Sequence, residues 1–91
     1  MREMFVGTRE EQGEDGSTVQ CDYYVLIDQM EVGGSFACES YGIRIRVRQT
    51  GEEETVPDVT VLPERIAALA QLLVRGTVTP CTLREVIQDW L

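Results

Sequence analysis

The chain has 91 residues, and its composition of 43% hydrophobic and 26% charged residues is typical of a globular protein rather than a disordered one. Its net charge is −8, from 16 acidic residues against 8 arginines, with no lysine and no histidine. This composition excludes Ser-His and Cys-His catalytic pairs and lysine Schiff bases, and it disfavours nucleic-acid binding because an acidic surface repels phosphates.

The length predicts a single domain over residues 1–91. A domain this small buries little surface, so dimerisation would add useful stability. The sequence contains no apolar run long enough to cross a membrane, and residues 1–7 lack the apolar region of a secretory signal. We therefore expect a cytoplasmic protein that does not bind membranes.

Alternating apolar and polar residues predict four strands in the first two thirds of the chain. They are expected at residues 3–9, 18–31, 36–48 and 55–61.

Glycine and proline positions refine this prediction. Gly33-Gly34-Ser35 is expected to form a hairpin turn, and residues 51–54 a solvated turn. Gly42 is a candidate bulge within the third strand. Pro57 indicates that the fourth strand lies at an edge, because proline has no N–H to donate to a neighbour.

After residue 62 the hydrophobic period changes from two to about 3.6 residues, which predicts a helix. Pro63 suits the first turn, where its missing N–H costs nothing. Gly76 is expected to end the helix in the left-handed conformation. The predicted buried face consists of Ile66, Leu69, Ala70 and Leu73.

A second helix is predicted at the end of the chain. Thr82 and Glu85 have the spacing of a capping box, although Thr79 and Pro80 could start the helix one turn earlier. Trp90 either joins the core or anchors a partner, with the core as the default. The apolar stripe is formed by Leu83, Val86, Ile87, Trp90 and Leu91.

Together these elements predict an α+β fold, in which a four-stranded antiparallel meander is followed by two C-terminal helices packed on one face. The register of the second and third strands follows from the three arginines at 44, 46 and 48. A three-residue loop places Tyr23 opposite Ile45 and Asp22 opposite Arg46, whereas a two-residue turn would put the arginines on the apolar face. Burying unpaired arginines costs several times the ~0.2–1 kcal/mol of a cross-strand ion pair, so we predict the three-residue loop.

The same reasoning applied to the next hairpin predicts Ile45 opposite Val59, Ile43 opposite Val61 and Arg46 opposite Asp58. Arg46 would then lie between two aspartates on the solvent face of the sheet.

Two interpretations of Arg44, Arg46 and Arg48 remain open. In the first, the arginines neutralise carboxylates across the sheet. In the second, they form a contact site for an anion or an acidic partner, because guanidinium groups bind carboxylate and phosphate in bidentate fashion.

The cysteines are expected to be three small buried hydrophobes, Cys21, Cys38 and Cys81, in a reducing compartment. Cys81 is either a hydrophobic staple against Val86 or a thiol activated by a helix N-terminus. Neither acidic run resembles a calcium loop, and no glycine cluster has phosphate-loop spacing. We therefore predict no metal, no cofactor and no catalytic residue.

The pattern of Tyr41-Gly42-Ile43, Asp58-Val59-Thr60 and Pro80-x-x-Leu83-x-x-Val86 resembles a family of short uncharacterised proteins from clostridial-type bacteria, known as a domain of unknown function. That family often has a histidine before the leucine of the last motif, where this chain has Thr82. The resemblance implies a bacterial cytosolic protein and transfers no activity.

By elimination, the leading hypothesis is a small non-enzymatic module for protein interaction or regulation, with a protein partner or a homodimer formed through an edge strand. The alternative is a domain that binds an anion or small ligand on the arginine face. An enzyme that works through carboxylates is the third hypothesis.

Overall fold

The computed structural model describes residues 2–32 and 36–91. Its four strands form one antiparallel sheet in the order β1-β2-β3-β4, so the predicted meander followed by two helices is confirmed. Each predicted strand boundary lies within three residues of the observed one. The elements are β1 (Arg2–Gln12), β2 (Thr18–Val32), β3 (Phe36–Val47), β4 (Glu53–Thr60), α1 (Pro63–Arg75), a 3₁₀ turn (Pro80–Thr82) and α2 (Leu83–Trp90).

The register between β2 and β3 is the predicted one. Tyr23 pairs with Ile45 and Asp22 with Arg46, and the pairing continues along the hairpin to Val32 with Phe36. The predicted turn at residues 33–35 lies outside the described residues.

Both helices pack against the apolar face of the sheet. The four predicted core residues of α1 are all buried there. The core cluster consists of Cys21, Tyr23, Val25, Ile43, Ile45, Val47, Ile66, Leu69, Ala70, Leu73, Leu83 and Ile87. The Tyr23 hydroxyl, deep in this core, donates a 2.8 Å hydrogen bond to the Val78 carbonyl and so ties the sheet to the segment between the helices. No helix of the described chain is long and apolar enough to cross a bilayer.

The predicted register between β3 and β4 is wrong. Ile43 pairs with Val56, Ile45 with Glu54, and Arg46 with Glu53. The chain turns earlier than expected because Gly51, at φ 74°, donates its N–H to the Val47 carbonyl and closes a tight turn. Two of the residues assigned to a solvated turn, Glu53 and Glu54, therefore belong to the strand.

The irregularity predicted at Gly42 is present, but the extra residues lie in β4. Pairing passes from Tyr41–Thr60 to Ile43–Val56, so β4 uses four steps where β3 uses two. A Cβ on Gly42 would lie 2.5 Å from the Val56 carbonyl oxygen and 2.8 Å from the Pro57 Cα. Only glycine admits this close approach of the neighbouring backbone. The prediction that Pro57 marks an edge strand is confirmed.

The end of α1 differs from the prediction at one residue. Gly76 has a right-handed backbone, at φ −85°, and the left-handed residue is Thr77, at φ 50°. The Thr77 N–H donates to the Val74 carbonyl and the Val78 N–H to the Leu73 carbonyl. This is a Schellman motif, shifted one residue beyond the glycine.

The predicted capping box at the start of α2 is also wrong. The Thr82 side chain makes no cap hydrogen bond, and its hydroxyl instead donates to the Thr79 carbonyl at 3.3 Å. An N-cap needs an extended backbone, whereas Thr82 already lies in the 3₁₀ turn that begins at Pro80. The alternative prediction, that the second helix starts one turn earlier at Thr79 and Pro80, matches this 3₁₀ turn.

Candidate functional site

The arginine side chains of β3 point to the sheet face opposite the helices. Asp22, only 7% exposed, accepts hydrogen bonds from Arg48 Nε at 2.9 and 3.1 Å and from the Thr8 hydroxyl at 2.6 Å. The hydrogen bond from Arg48 holds the pKa of Asp22 below its usual value. Arg48 therefore reaches diagonally across to the aspartate, although Arg46 is the residue directly opposite.

Arg44 is also engaged within the chain. Its guanidinium group lies 2.7 Å from the Glu3 carboxylate and 4.8 Å from the centre of the Tyr24 ring. Phe5 packs edge-on against the same ring, with centroids 5.7 Å apart. The Nε of Arg44 is buried and has no acceptor in the described structure.

Arg46 differs from its two neighbours. It is exposed, and no hydrogen bond or ion pair joins it to another described side chain. The predicted arrangement of Arg46 between Asp22 and Asp58 is not formed, because the early turn closed by Gly51 places Glu53 opposite Arg46 instead.

Sequence reasoning missed an ion pair between the sheet and α2. Glu54 pairs with the guanidinium group of Arg84 at 3.2 Å, and this hydrogen bond lowers the pKa of Glu54. Glu54 lies opposite Ile45, which is on the helix-covered face. The acidic run at residues 52–54 does not predict this pair, because the sheet face on which Glu54 lies depends on the register of β4.

An apolar groove lies between α1 and α2. One part has a cavity of about 660 Å³, lined by Ala68, Leu72, Arg75, Gly76, Val78 and Val86. A second cavity of about 300 Å³ is lined by Leu72, Val86, Asp89 and Trp90. Since both cavities share Leu72 and Val86, they form one continuous feature, which we call the helical groove.

Side chains in the helical groove are only partly covered by the rest of the chain. Leu72 is 44% exposed. Trp90 is half-buried: it packs against the core, and the Arg65 guanidinium group lies 4.4 Å from the centre of its ring. Trp90 therefore contributes to the core, as the default prediction held, and it also lines the groove, while its role as an anchor for a partner remains a prediction.

A smaller crevice of about 250 Å³ lies at the end of the sheet beside the 3₁₀ turn, and both Cys21 and Cys81 line it. Cys21 is buried, and desolvation raises the pKa of its thiol, with a further contribution from Glu11. Cys38 is half-buried and Cys81 is exposed, so the prediction of three buried cysteines is wrong for Cys81. An exposed Cys81 also lacks the burial expected of a hydrophobic staple.

Over residues 2–32 and 36–91, no group of three or more His, Cys, Asp or Glu side chains is arranged to hold a metal ion. The carboxylates of Glu3, Asp22 and Glu54 are each paired with an arginine. The pKa values of Asp22 and Glu54 are lowered by their arginine partners, which is opposite to what a general acid needs.

An antiparallel sheet with one face covered by a helical hairpin defines a small α+β domain. The chain belongs to the family of unknown function DUF6514, whose model matches residues 2–91. No curated protein and no solved structure shows significant similarity to the chain.

Proposed function

We propose that the protein is a small, non-enzymatic interaction module that docks a protein partner in the helical groove. The observation that carries this proposal is the continuous apolar feature between α1 and α2, with Leu72 exposed at its centre. Exposed apolar grooves between helices are typical sites of protein docking. We further propose that the module acts in the bacterial cytoplasm and binds neither nucleic acid nor membrane, in keeping with its net charge of −8.

Substitution of the central leucine tests this proposal. Leu72→Glu places a charge in the groove, and Gln71→Glu adds the same charge at the neighbouring exposed position, which does not line the groove. Both variants should fold, because exposed substitutions typically change stability by only about 0.5 kcal/mol.

Wild type and both variants are immobilised and exposed to native cell extract, and quantitative mass spectrometry measures which protein chains each one retains. The protein itself counts as a possible partner. We expect Leu72→Glu to lose at least one partner that Gln71→Glu retains. If all three proteins retain the same chains in the same amounts, the helical groove is not the docking site.

A second candidate function is the binding of an anion or small ligand by Arg44, Arg46 and Arg48. It is favoured by the buried Arg44 Nε without an acceptor and by the exposed Arg46 without an ion pair among the described residues. Against this candidate, the guanidinium groups of Arg44 and Arg48 are already paired with Glu3 and Asp22. Titration with inorganic phosphate, followed by NMR of the arginine side-chain N–H signals, tests this candidate, and unchanged signals would remove it.

A further inference from the structure

We infer that the occupant of the helical groove is a second copy of this chain, related by a two-fold axis that passes near Leu72 and Val86. This inference rests on the proposed function, since it names the partner of the same site. It follows from the antiparallel direction of α1 and α2 and from the positions of Arg75 on α1 and Asp89 on α2.

The two helices run antiparallel. The Arg65 guanidinium group, near the start of α1, stacks over the Trp90 ring at the end of α2, with 4.4 Å between the guanidinium carbon and the ring centre. The end of α1 therefore lies at the opposite end of the hairpin, next to the connection that leads into α2.

Charges of opposite sign line the two ends of the groove. Arg75 lines one cavity and Asp89 the other, while Leu72 and Val86 belong to both. Arg75 is three residues beyond Leu72, and Asp89 is three residues beyond Val86. At a rise of ~1.5 Å per residue, the backbone positions of Arg75 and Asp89 lie about 4.5 Å along the helix axis from those of Leu72 and Val86, and in opposite directions because the helices are antiparallel.

This arrangement is complementary to itself. In a two-fold interface the same patch faces itself, and a two-fold axis that crosses the groove at right angles brings each end of one groove to the opposite end of its partner's groove. Arg75 of each copy would then face Asp89 of the other, with the two leucines at position 72 packed near the axis. Among the described residues neither Arg75 nor Asp89 has an ion-pair partner in its own chain. Both charges are therefore available to the second copy.

A partner with charge of one sign would fit less well. A basic peptide would be attracted to Asp89 and repelled by Arg75, and an acidic peptide would meet the reverse. A second copy satisfies both ends at once. It would also bury further apolar surface in a chain that is small for an independently stable domain.

Charge reversal provides the test. Arg75→Glu puts two carboxylates at each polar contact of the dimer, and Asp89→Arg puts two arginines there. In a 1:1 mixture of the two variants, a mixed dimer restores opposite charges at both contacts. Arg46→Glu is the matched control, because it makes the same charge change on the opposite face of the sheet.

Sedimentation velocity over a concentration series measures the dissociation constant of each sample. We expect wild type and Arg46→Glu to dimerise alike. Each groove variant alone should have a dissociation constant at least tenfold higher, and the mixture should return to within a few-fold of wild type.

Two results would overturn the inference. One is a wild-type protein that stays monomeric up to millimolar concentration, and the other is a dimer that the groove variants leave unchanged relative to Arg46→Glu. The proposed function fails separately, when Leu72→Glu changes neither self-association nor the retention of any other chain.

Discussion

At the level of single residues, Arg44 and Arg46 of β3 and Arg48 just beyond its end have different partners although they alternate along the chain. Arg48 is bound to Asp22, Arg44 lies between Glu3 and Tyr24, and Arg46 is exposed. Two of the three therefore neutralise carboxylates across the sheet, Arg48 on the adjacent strand β2 and Arg44 on β1, as the cross-strand interpretation predicts. Their role as a contact site for an anion or an acidic partner remains a prediction.

The Asp22 network should make stability depend on pH. Because the folded-state pKa of Asp22 is lowered, mainly by the hydrogen bond from Arg48, its contribution is present above the unfolded pKa of about 3.9 and is lost as the pH falls through the folded value. Asp22→Asn should lower the free energy of unfolding by about 1–3 kcal/mol at pH 7.

Urea unfolding of wild type and Asp22→Asn between pH 7 and pH 2 checks this prediction. The difference between the two proteins should shrink as the pH falls below about 4, because the Asp22 carboxyl of the unfolded chain then takes up protons before that of the folded chain. Glu53→Gln, an exposed carboxylate outside the network, serves as the control. A difference that stays constant across the whole range would contradict the pKa assignment.

Thr77 stores backbone strain at the end of α1. A β-branched residue at φ 50° is rare, and the left-handed region costs an L-residue roughly 1–2 kcal/mol. Thr77→Gly should therefore raise the free energy of unfolding by about 0.5–1 kcal/mol after the entropic cost of glycine is subtracted. Thr77→Ala keeps the Cβ and should give a smaller gain. Urea denaturation measures both, and a less stable glycine variant would show that the side chain matters more than the backbone.

At the level of elements, β4 shows how one glycine determines the path of a neighbouring strand. The close approach of Val56 and Pro57 to Gly42 requires a residue without a side chain. Gly42→Ala should cost about 1–3 kcal/mol, the usual range for overpacking a tight contact.

The control for this prediction is Gly7→Ala, since a Cβ on Gly7 would meet only the Val74 side chain at an ordinary 3.8 Å. Thermal unfolding of the two variants gives the comparison. Equal melting temperatures would mean that the β4 bulge shifts at little cost to admit the methyl group.

The elements that local patterns specify were predicted well. The period of the helical apolar residues predicted the buried face of α1, and the cost of burying Arg44 and Arg46 determined the β2–β3 register. Both predictions succeed because they depend only on which side chains of one helix or one hairpin are buried. The alternation of apolar and polar residues in the sequence shows this directly.

The errors arise where backbone geometry outweighs side-chain matching. The β3–β4 register was wrong because Gly51 closes an early turn and two extra residues of β4 are accommodated opposite Gly42. Thr82 resembles an N-cap, but the 3₁₀ turn from Pro80 already fixes its backbone. The helical groove could not be predicted at all, since Leu72 and Val86 meet only once the two helices have packed.

At the level of the whole molecule, the two faces of the sheet differ in how their polar groups are satisfied. The open face carries ion pairs centred on Asp22 and Arg44, whereas the outer side of the helices carries the apolar groove. An edge strand offers another route to a dimer, and β1 exposes Met4 and Phe5, each 54% exposed. We propose the helical groove rather than β1 as the dimer surface, because Arg75 and Asp89 lie at its two ends.

The most direct test of this account is a dilution series of the ¹⁵N-labelled protein followed by two-dimensional NMR. We predict that the amide signals of Ala68, Leu72 and Val86 and the indole signal of Trp90 shift together with concentration, while those of β1 and of Arg44 to Arg48 stay fixed. Concentration-dependent shifts confined to residues 2–12 or to the arginine face, with the groove signals unchanged, would contradict it.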